Sequence, residues 1–232
     1  MVWLILAGAL AGAVDAPANT ALTQALSREE AGDTAGALVG VEAVLNTWPA
    51  WELPRIEAAR LMLKLGGELD RAEAHLDIAS TLTPENPRAH YLRGLLWEER
   101  GQPLLAAQAY EVALLYRPSY EEARFRVAGL WMAQGDWLKA EYHYRLLSKA
   151  RPEWVQVRLL LAQVLERQER TPEAERELLE ARKVQPGNPL IVRRLAELYE
   201  RTGRAKLAQK LRKSVEEPAQ KRRLRTLKPS RR

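Results

Sequence analysis

The sequence predicts an all-α chain, an α-solenoid of about five to six helix-turn-helix units, and three series of residues predict it. Small residues recur at Ala37, Ala72, Ala106, Ala140, Ala174 and Ala208, spaced 35, 34, 34, 34 and 34 residues apart. Glycines keep the same period at Gly32, Gly67, Gly101, Gly135 and Gly203, broken once by Glu169, and prolines at Pro49, Pro84, Pro118, Pro152 and Pro186. Within each unit the glycine falls between two apolar-periodic stretches and the proline closes the second, which reads as helix, turn, helix, stop. Glycine supplies the permissive backbone of the turn, alanine lets two helices approach closely, and proline cannot continue a helix.

The first sixteen residues differ in kind. MVWLILAGALAGAVDA carries an apolar run from Val2 to Val14 followed by small residues, and it resembles a secretory signal peptide. Thirteen residues of helix would span about 20 Å, short of the roughly 30 Å hydrocarbon core. Val14-Asp15-Ala16 and Ala11-Gly12-Ala13 both offer the small residues a signal peptidase requires, although no lysine or arginine precedes the run. Three readings stay open here: a cleaved signal, a retained anchor, or an N-terminal helix packed on the first unit. The first places the protein outside the inner membrane, in the periplasm; the others leave it membrane-anchored or cytoplasmic.

Units then follow at residues 18–51, 52–86, 87–120, 121–154 and 155–188, with a last helix pair from 189 to about 215. One irregularity interrupts them. Ala25 to Ala59 is 34 residues whereas Ala59 to Gly94 is 35, which predicts one inserted residue between Ala59 and Gly67. The alternative register would put Arg60 where a small side chain is needed. In the middle units, Gly94, Trp97, Gly101, Ala106, Tyr110, Ala113 and Pro118 are echoed by Ala128, Trp131, Gly135, Ala140, Tyr144, Leu147 and Pro152, then by Ala162, Leu165, Ala174, Leu178, Ala181 and Pro186. This pattern resembles the tetratricopeptide repeat, whose 34-residue unit is a helix pair, and the likeness covers roughly 85 per cent of the chain. It implies units stacked in a right-handed superhelix over residues 17–215. Trp97 and Trp131 read as core, and Trp48, Trp51, Trp137 and Trp154 as residues that staple neighbouring units near helix ends.

The remaining segment, 216–232, opens with Glu216-Glu217-Pro218, and from Ala219 to Arg232 holds Lys221, Arg222, Arg223, Arg225, Lys228, Arg231 and Arg232 without an acidic residue. Those seven charges exceed the whole net charge of +6, so the body is nearly neutral. A solvated, disordered tail is one reading. Attraction of Lys221, Arg222, Arg223 and Arg225 to an anionic membrane surface is the other; with no aromatic residue in the tail, base stacking and hence nucleic acid gains no support.

Composition limits the chemistry. With 47% hydrophobic residues over 232 positions, the chain can bury a continuous core shared between neighbouring units. There is no cysteine, which excludes disulfides, thiolate chemistry and a cysteine-linked lipid anchor. Arginine outnumbers lysine 27 to 9, which points to a GC-rich bacterial genome. His75, His90 and His143 show no metal-ligand spacing, and no Walker A, GxGxxG or GxSxG motif occurs. The glutamates and arginines after Glu166 sit three and four apart, as on an ion-paired helix surface. No enzyme activity, cofactor, metal or small-molecule substrate is expected.

The resemblance places function on the face lined by the first helix of each pair. The fifth, ninth and twelfth positions share that face: Tyr91, Leu95 and Glu98; Phe125, Gly129 and Met132; Leu159, Gln163 and Glu166; Arg193, Glu197 and Glu200. Tyr91, Leu95, Phe125, Gly129, Met132 and Leu159 form the candidate partner-binding set, with Gly129 leaving room for a partner side chain. The lysines and asparagines of carboxylate-clamp members are absent from it. Ordinary inter-unit packing would account for the same residues. The expected function is a non-enzymatic adaptor that holds a helix or hydrophobic segment of a protein partner and helps assemble or position a bacterial envelope complex. The alternative is a peripheral adaptor tethered by its basic tail to an anionic membrane or nucleic acid.

Overall fold

The computed structural model describes residues 16–214. The apolar N-terminal segment and the basic tail, including Lys221, Arg222, Arg223 and Arg225, lie outside the described residues. Within them the chain is all-α: α1 (Ala16–Glu30), α2 (Thr34–Thr47), α3 (Glu52–Leu65), α4 (Leu69–Leu82), α5 (Pro87–Glu99), α6 (Pro103–Tyr116), α7 (Glu121–Ala133), α8 (Trp137–Ala150), α9 (Val155–Arg167), α10 (Thr171–Val184) and α11 (Pro189–Arg201), then α12 over residues 205–214. Three residues join the helices within a pair and four join successive pairs. The chain divides into two compact units within α7, after Val127.

The alanine series does what its period implies. Ala37, Ala72, Ala106, Ala140, Ala174 and Ala208 are all at most 1% exposed. The turn series places Gly32, Gly101, Gly135 and Gly203 in the left-handed region, at φ between 68° and 90°. Glu169 takes the same conformation at φ 61°, a cost of order 1 kcal/mol that a side chain incurs there. Proline occupies the first turn of α5, α6, α10 and α11, where no backbone donor is lost.

The inserted residue lies where the spacing puts it. α3 has 14 residues where α5, α7, α9 and α11 have 13. Ala59 is fully buried while Arg60 reaches the surface, which confirms the register. The turn itself is rebuilt: Gly66 and Glu68 are left-handed at φ 73° and 58°, and Gly67, the member of the periodic series, is not. The extra helical residue moves the chain reversal one position upstream.

In the first unit the core runs through Leu22, Val41, Ile56, Leu61, Met62, Leu76, Leu92 and Leu96. In the second, Tyr144, Leu147, Val157, Leu161, Leu165, Leu178, Ile191 and Leu195 are buried. Trp97 and Trp131 correct an expectation: both are half-buried. Trp97 rests on the core and carries the Arg100 guanidinium 5.1 Å from its ring centre; Lys139 Nζ sits 3.7 Å above Trp131. Their outer faces are covered by cations instead of packed side chains.

The connections between pairs share a device. Arg55 donates to the Pro49 carbonyl at 3.1 and 2.5 Å, Arg124 to Pro118 at 2.5 Å and Arg158 to Pro152 at 2.8 Å, while His90 Nε2 lies 2.8 Å from the Pro84 carbonyl. In these four pairs the fourth residue thus satisfies the carbonyl left open where proline ends the preceding helix.

Candidate partner-binding face

The first helices carry the candidate residues, and all six are half-buried, neither enclosed in the core nor fully solvated. In the first unit Tyr91, on α5, stands 5.6 Å from Tyr110 and 5.0 Å from Tyr120 between ring centres. Leu95 rests against the core one turn further on. Beside them Tyr110 donates to Glu98 Oε1 at 2.5 Å and Arg126 reaches Glu98 Oε2 at 3.1 Å. Burial, then the hydrogen bond to Glu98, pushes the Tyr110 phenol well above its usual range. Tyr91 therefore belongs to an intramolecular aromatic cluster, and Glu98 is committed to its neighbours.

On α7, Phe125, Gly129 and Met132 follow at intervals of four and three, the spacing of one helix face. The glycines inside helices are unlike one another. A Cβ on Gly94 would fall 2.3 Å from Tyr110 Cε1, and one on Gly40 2.8 Å from the Ala25 methyl; these glycines exist so that helices can touch. A Cβ on Gly129 would meet only the Tyr144 hydroxyl oxygen, at 3.8 Å, an ordinary contact. Tyr144 beneath it is 1% exposed, and burial pushes its phenol up to about 12. In the second unit, Leu159 on α9 is half-buried as well.

Polar residues of the same helices are paired. Arg60 bridges Glu29 at 2.5 Å and Glu57 at 2.7 Å, Lys64 joins Glu29 at 2.7 Å, and Arg88 reaches Glu57 at 2.6 Å. Hydrogen bonds from Arg60 and then Lys64 hold the Glu29 carboxyl at about 2. In the second unit Arg194 donates to Gln163 at 3.1 Å, and Arg201 pairs with Glu166. Neither this ladder nor the proline clamps is among the features that the alanine, glycine and proline spacing points to. The clamp was findable, since Arg55, His90, Arg124 and Arg158 recur at 34–35-residue spacing; the ladder was not, because its partners change type from pair to pair.

Among the described residues, no group of three histidine or carboxylate side chains is arranged to hold a metal, and no helix is long and apolar enough to cross a membrane. Of the three histidines, His75 keeps a buried Nδ1 without a hydrogen-bond partner. Burial, then the Arg55 charge, pushes its pKa below the usual 6.5.

Family models described as tetratricopeptide repeat match residues 56–119 and 155–198. No curated protein matches the chain. Among solved structures, MamA aligns with a TM-score of 0.64 at 16% identity, over 73% of this chain and 92% of its own. YrrB, described as a TPR protein with an unusual peptide-binding site, aligns at 0.66 and 16% identity over 74% and 88%. A tetratricopeptide repeat protein from Parabacteroides merdae aligns at 0.65 and 19% identity over 85% and 78%. At these identities the likeness is one of fold. With the buried alanines, left-handed turns and helix pairs described above, the two repeat matches make this chain a tetratricopeptide-repeat protein.

Proposed function

We propose that the chain is a non-enzymatic adaptor that receives a helix or hydrophobic segment of a protein partner on the first-helix face, with Phe125, Gly129 and Met132 as its principal contacts. Gly129 carries the reading. A glycine inside an exposed helix costs about 1 kcal/mol relative to alanine, and Gly94 and Gly40 offset that cost by close packing. Gly129 has no such packing, and it stands between an aromatic and a thioether side chain that are both half-buried. A notch flanked by Phe125 and Met132 suits an inserted apolar side chain, and methionine adapts to varied partners. The ion-paired ladder agrees with this, since it commits the polar side chains of those helices to one another. YrrB, which shares the fold, is described as having a peptide-binding site.

The apolar run from Val2 to Val14 and the small residues after it support export to the periplasm, and with it a role in assembling or positioning an envelope complex. The test is co-purification from native cells with the unchanged chain, Phe125→Glu and Gly129→Leu, alongside cell fractionation. The proposal expects one periplasmic protein to be captured by the unchanged chain and lost with both variants at unchanged helicity. A partner retained by both variants would move the binding face elsewhere, and recovery of the protein in the cytoplasm alone would remove the envelope role.

A further inference from the structure

The second helix of each pair has a face that receives the next pair, and that face changes sign at the end of the described chain. Glu73 on α4 accepts from Arg100 at 2.7 Å, Glu141 on α8 from Arg170 at 2.6 Å, and Glu175 on α10 from Arg204 at 2.8 Å. In each case the arginine comes from the following pair. The equivalent residue on α12 is Gln209, 34 positions after Glu175. Lys206 and Lys213 stand where α4 has Asp70 and Asp77, the carboxylates that with Glu73 meet Arg93 and Arg100, and Lys210 stands where α4 has Ala74. Positions 206, 209, 210 and 213 share one face by their spacing of three and four. They line, with Ser214, a shallow depression of about 430 Å³.

The three lysines are exposed, and none has an acidic partner among the described residues. The neighbouring arginine differs: Arg212 is neutralised by Glu200 at 2.8 Å. Ala208 and Leu211, on the opposite side, are buried against the body and fix which way the lysines point. From Lys206 to Lys213 the ammonium groups extend over about 10 Å of helix.

We propose that this face of α12 is an electrostatic docking surface for the phosphate headgroups of an anionic membrane. Its five lining side chains are lysine, glutamine and serine, so no apolar residue provides a floor for a protein helix. It has neither an aromatic side chain to stack on a base nor an arginine to fork onto one. Compact lysine charges spread in one row suit a diffuse field of phosphates. Beyond Glu216 and Glu217, seven further basic residues follow in the sequence between 219 and 232 with no acidic one among them. The surface is independent of the Phe125 notch.

The experiment is co-sedimentation of the full chain with phosphatidylcholine vesicles, with and without phosphatidylglycerol, at low and physiological ionic strength. It is run beside Lys206→Gln/Lys210→Gln/Lys213→Gln and a control that removes three scattered charges, Lys149→Gln/Arg176→Gln/Lys183→Gln. At about fivefold per lysine near an anionic surface, the clustered variant should weaken binding to anionic vesicles by on the order of a hundredfold at unchanged helicity. The control should lose little, and neutral vesicles should not bind. Equal losses in the two variants would show that net charge alone is at work and overturn the surface. Tighter binding to an RNA or DNA oligonucleotide than to the vesicles, or no vesicle binding at low salt, would overturn it as well.

Discussion

Gly94→Ala and Gly129→Ala add the same methyl group to two first helices and should change stability in opposite directions. At position 94 the new Cβ would lie 2.3, 2.5 and 2.7 Å from three ring atoms of Tyr110. That ring is fully buried, and its hydroxyl is tied to Glu98. Reaching an ordinary contact requires the ring to move by about 1 Å, at an overpacking cost of about 1–3 kcal/mol plus the weakened hydrogen bond, against a helical gain of about 1 kcal/mol. The net loss is about 2 kcal/mol, which for a chain of this size lowers the melting temperature by about 4–8 °C. At position 129 the only neighbour is 3.8 Å away, so the helical gain survives and melting rises by about 2–4 °C. Thermal melting followed by circular dichroism measures both. Hydrogen exchange across α5 and α6 locates the Gly94→Ala defect even if the repeats melt in stages. A Gly94→Ala protein as stable as the parent, or a Gly129→Ala protein that is destabilised, would refute the distinction on which the binding notch rests.

Three further outcomes follow from the pairings. Because Glu29 is held at about 2 against an ordinary 4.5, its contribution is complete above pH 4.5 and disappears as pH falls towards 2. Glu29→Gln should therefore cost on the order of 2 kcal/mol in urea denaturation at pH 7, and the two proteins should converge near pH 2. His75, depressed by burial, contributes stability above its ordinary 6.5 that is lost as pH falls below it. The unfolding free energy should decline between pH 7 and 5, His75→Gln should flatten that decline, and an NMR titration should place the imidazole below 6.5. Arg158 is 12% exposed and holds both the Pro152 carbonyl and Glu177. Arg158→Met should cost about 2–3 kcal/mol by leaving a half-buried carboxylate unpaired, whereas Arg124→Met, which releases the Pro118 carbonyl, should cost about 1 kcal/mol in the same assay.

The parts of this fold that sequence reveals are those set by backbone and by size. Alanines with no room around them and glycines with positive φ recur at fixed spacing because each satisfies a local steric demand that repeats with the helix pair. The exceptions obey the same physics: Glu169 occupies a glycine conformation at a cost, and Gly66 replaces Gly67 because an extra helical residue moves the reversal. Degree of burial was harder to read. Trp97 and Trp131 occupy core-like positions, yet their outer faces are closed by Arg100 and Lys139, which come from the turn and from the next helix. The same limit applies to the candidate site. Helical spacing put Tyr91 and Phe125 on equivalent positions, but the contacts of Tyr91 with Tyr110 and Tyr120 depend on neighbouring helices that its own helix does not specify. Nor does a glycine in a sequence disclose whether it is packed, like Gly94, or open, like Gly129.

The most direct test of the adaptor function is site-specific photo-crosslinking in intact cells, with a benzophenone side chain at Met132 and, for comparison, at Leu115 on α6, which is 72% exposed. The account predicts a discrete crosslinked protein from position 132, absent at position 115 and lost when Phe125→Glu is added. Crosslinks of equal yield at both positions, or from position 115 alone, would contradict it.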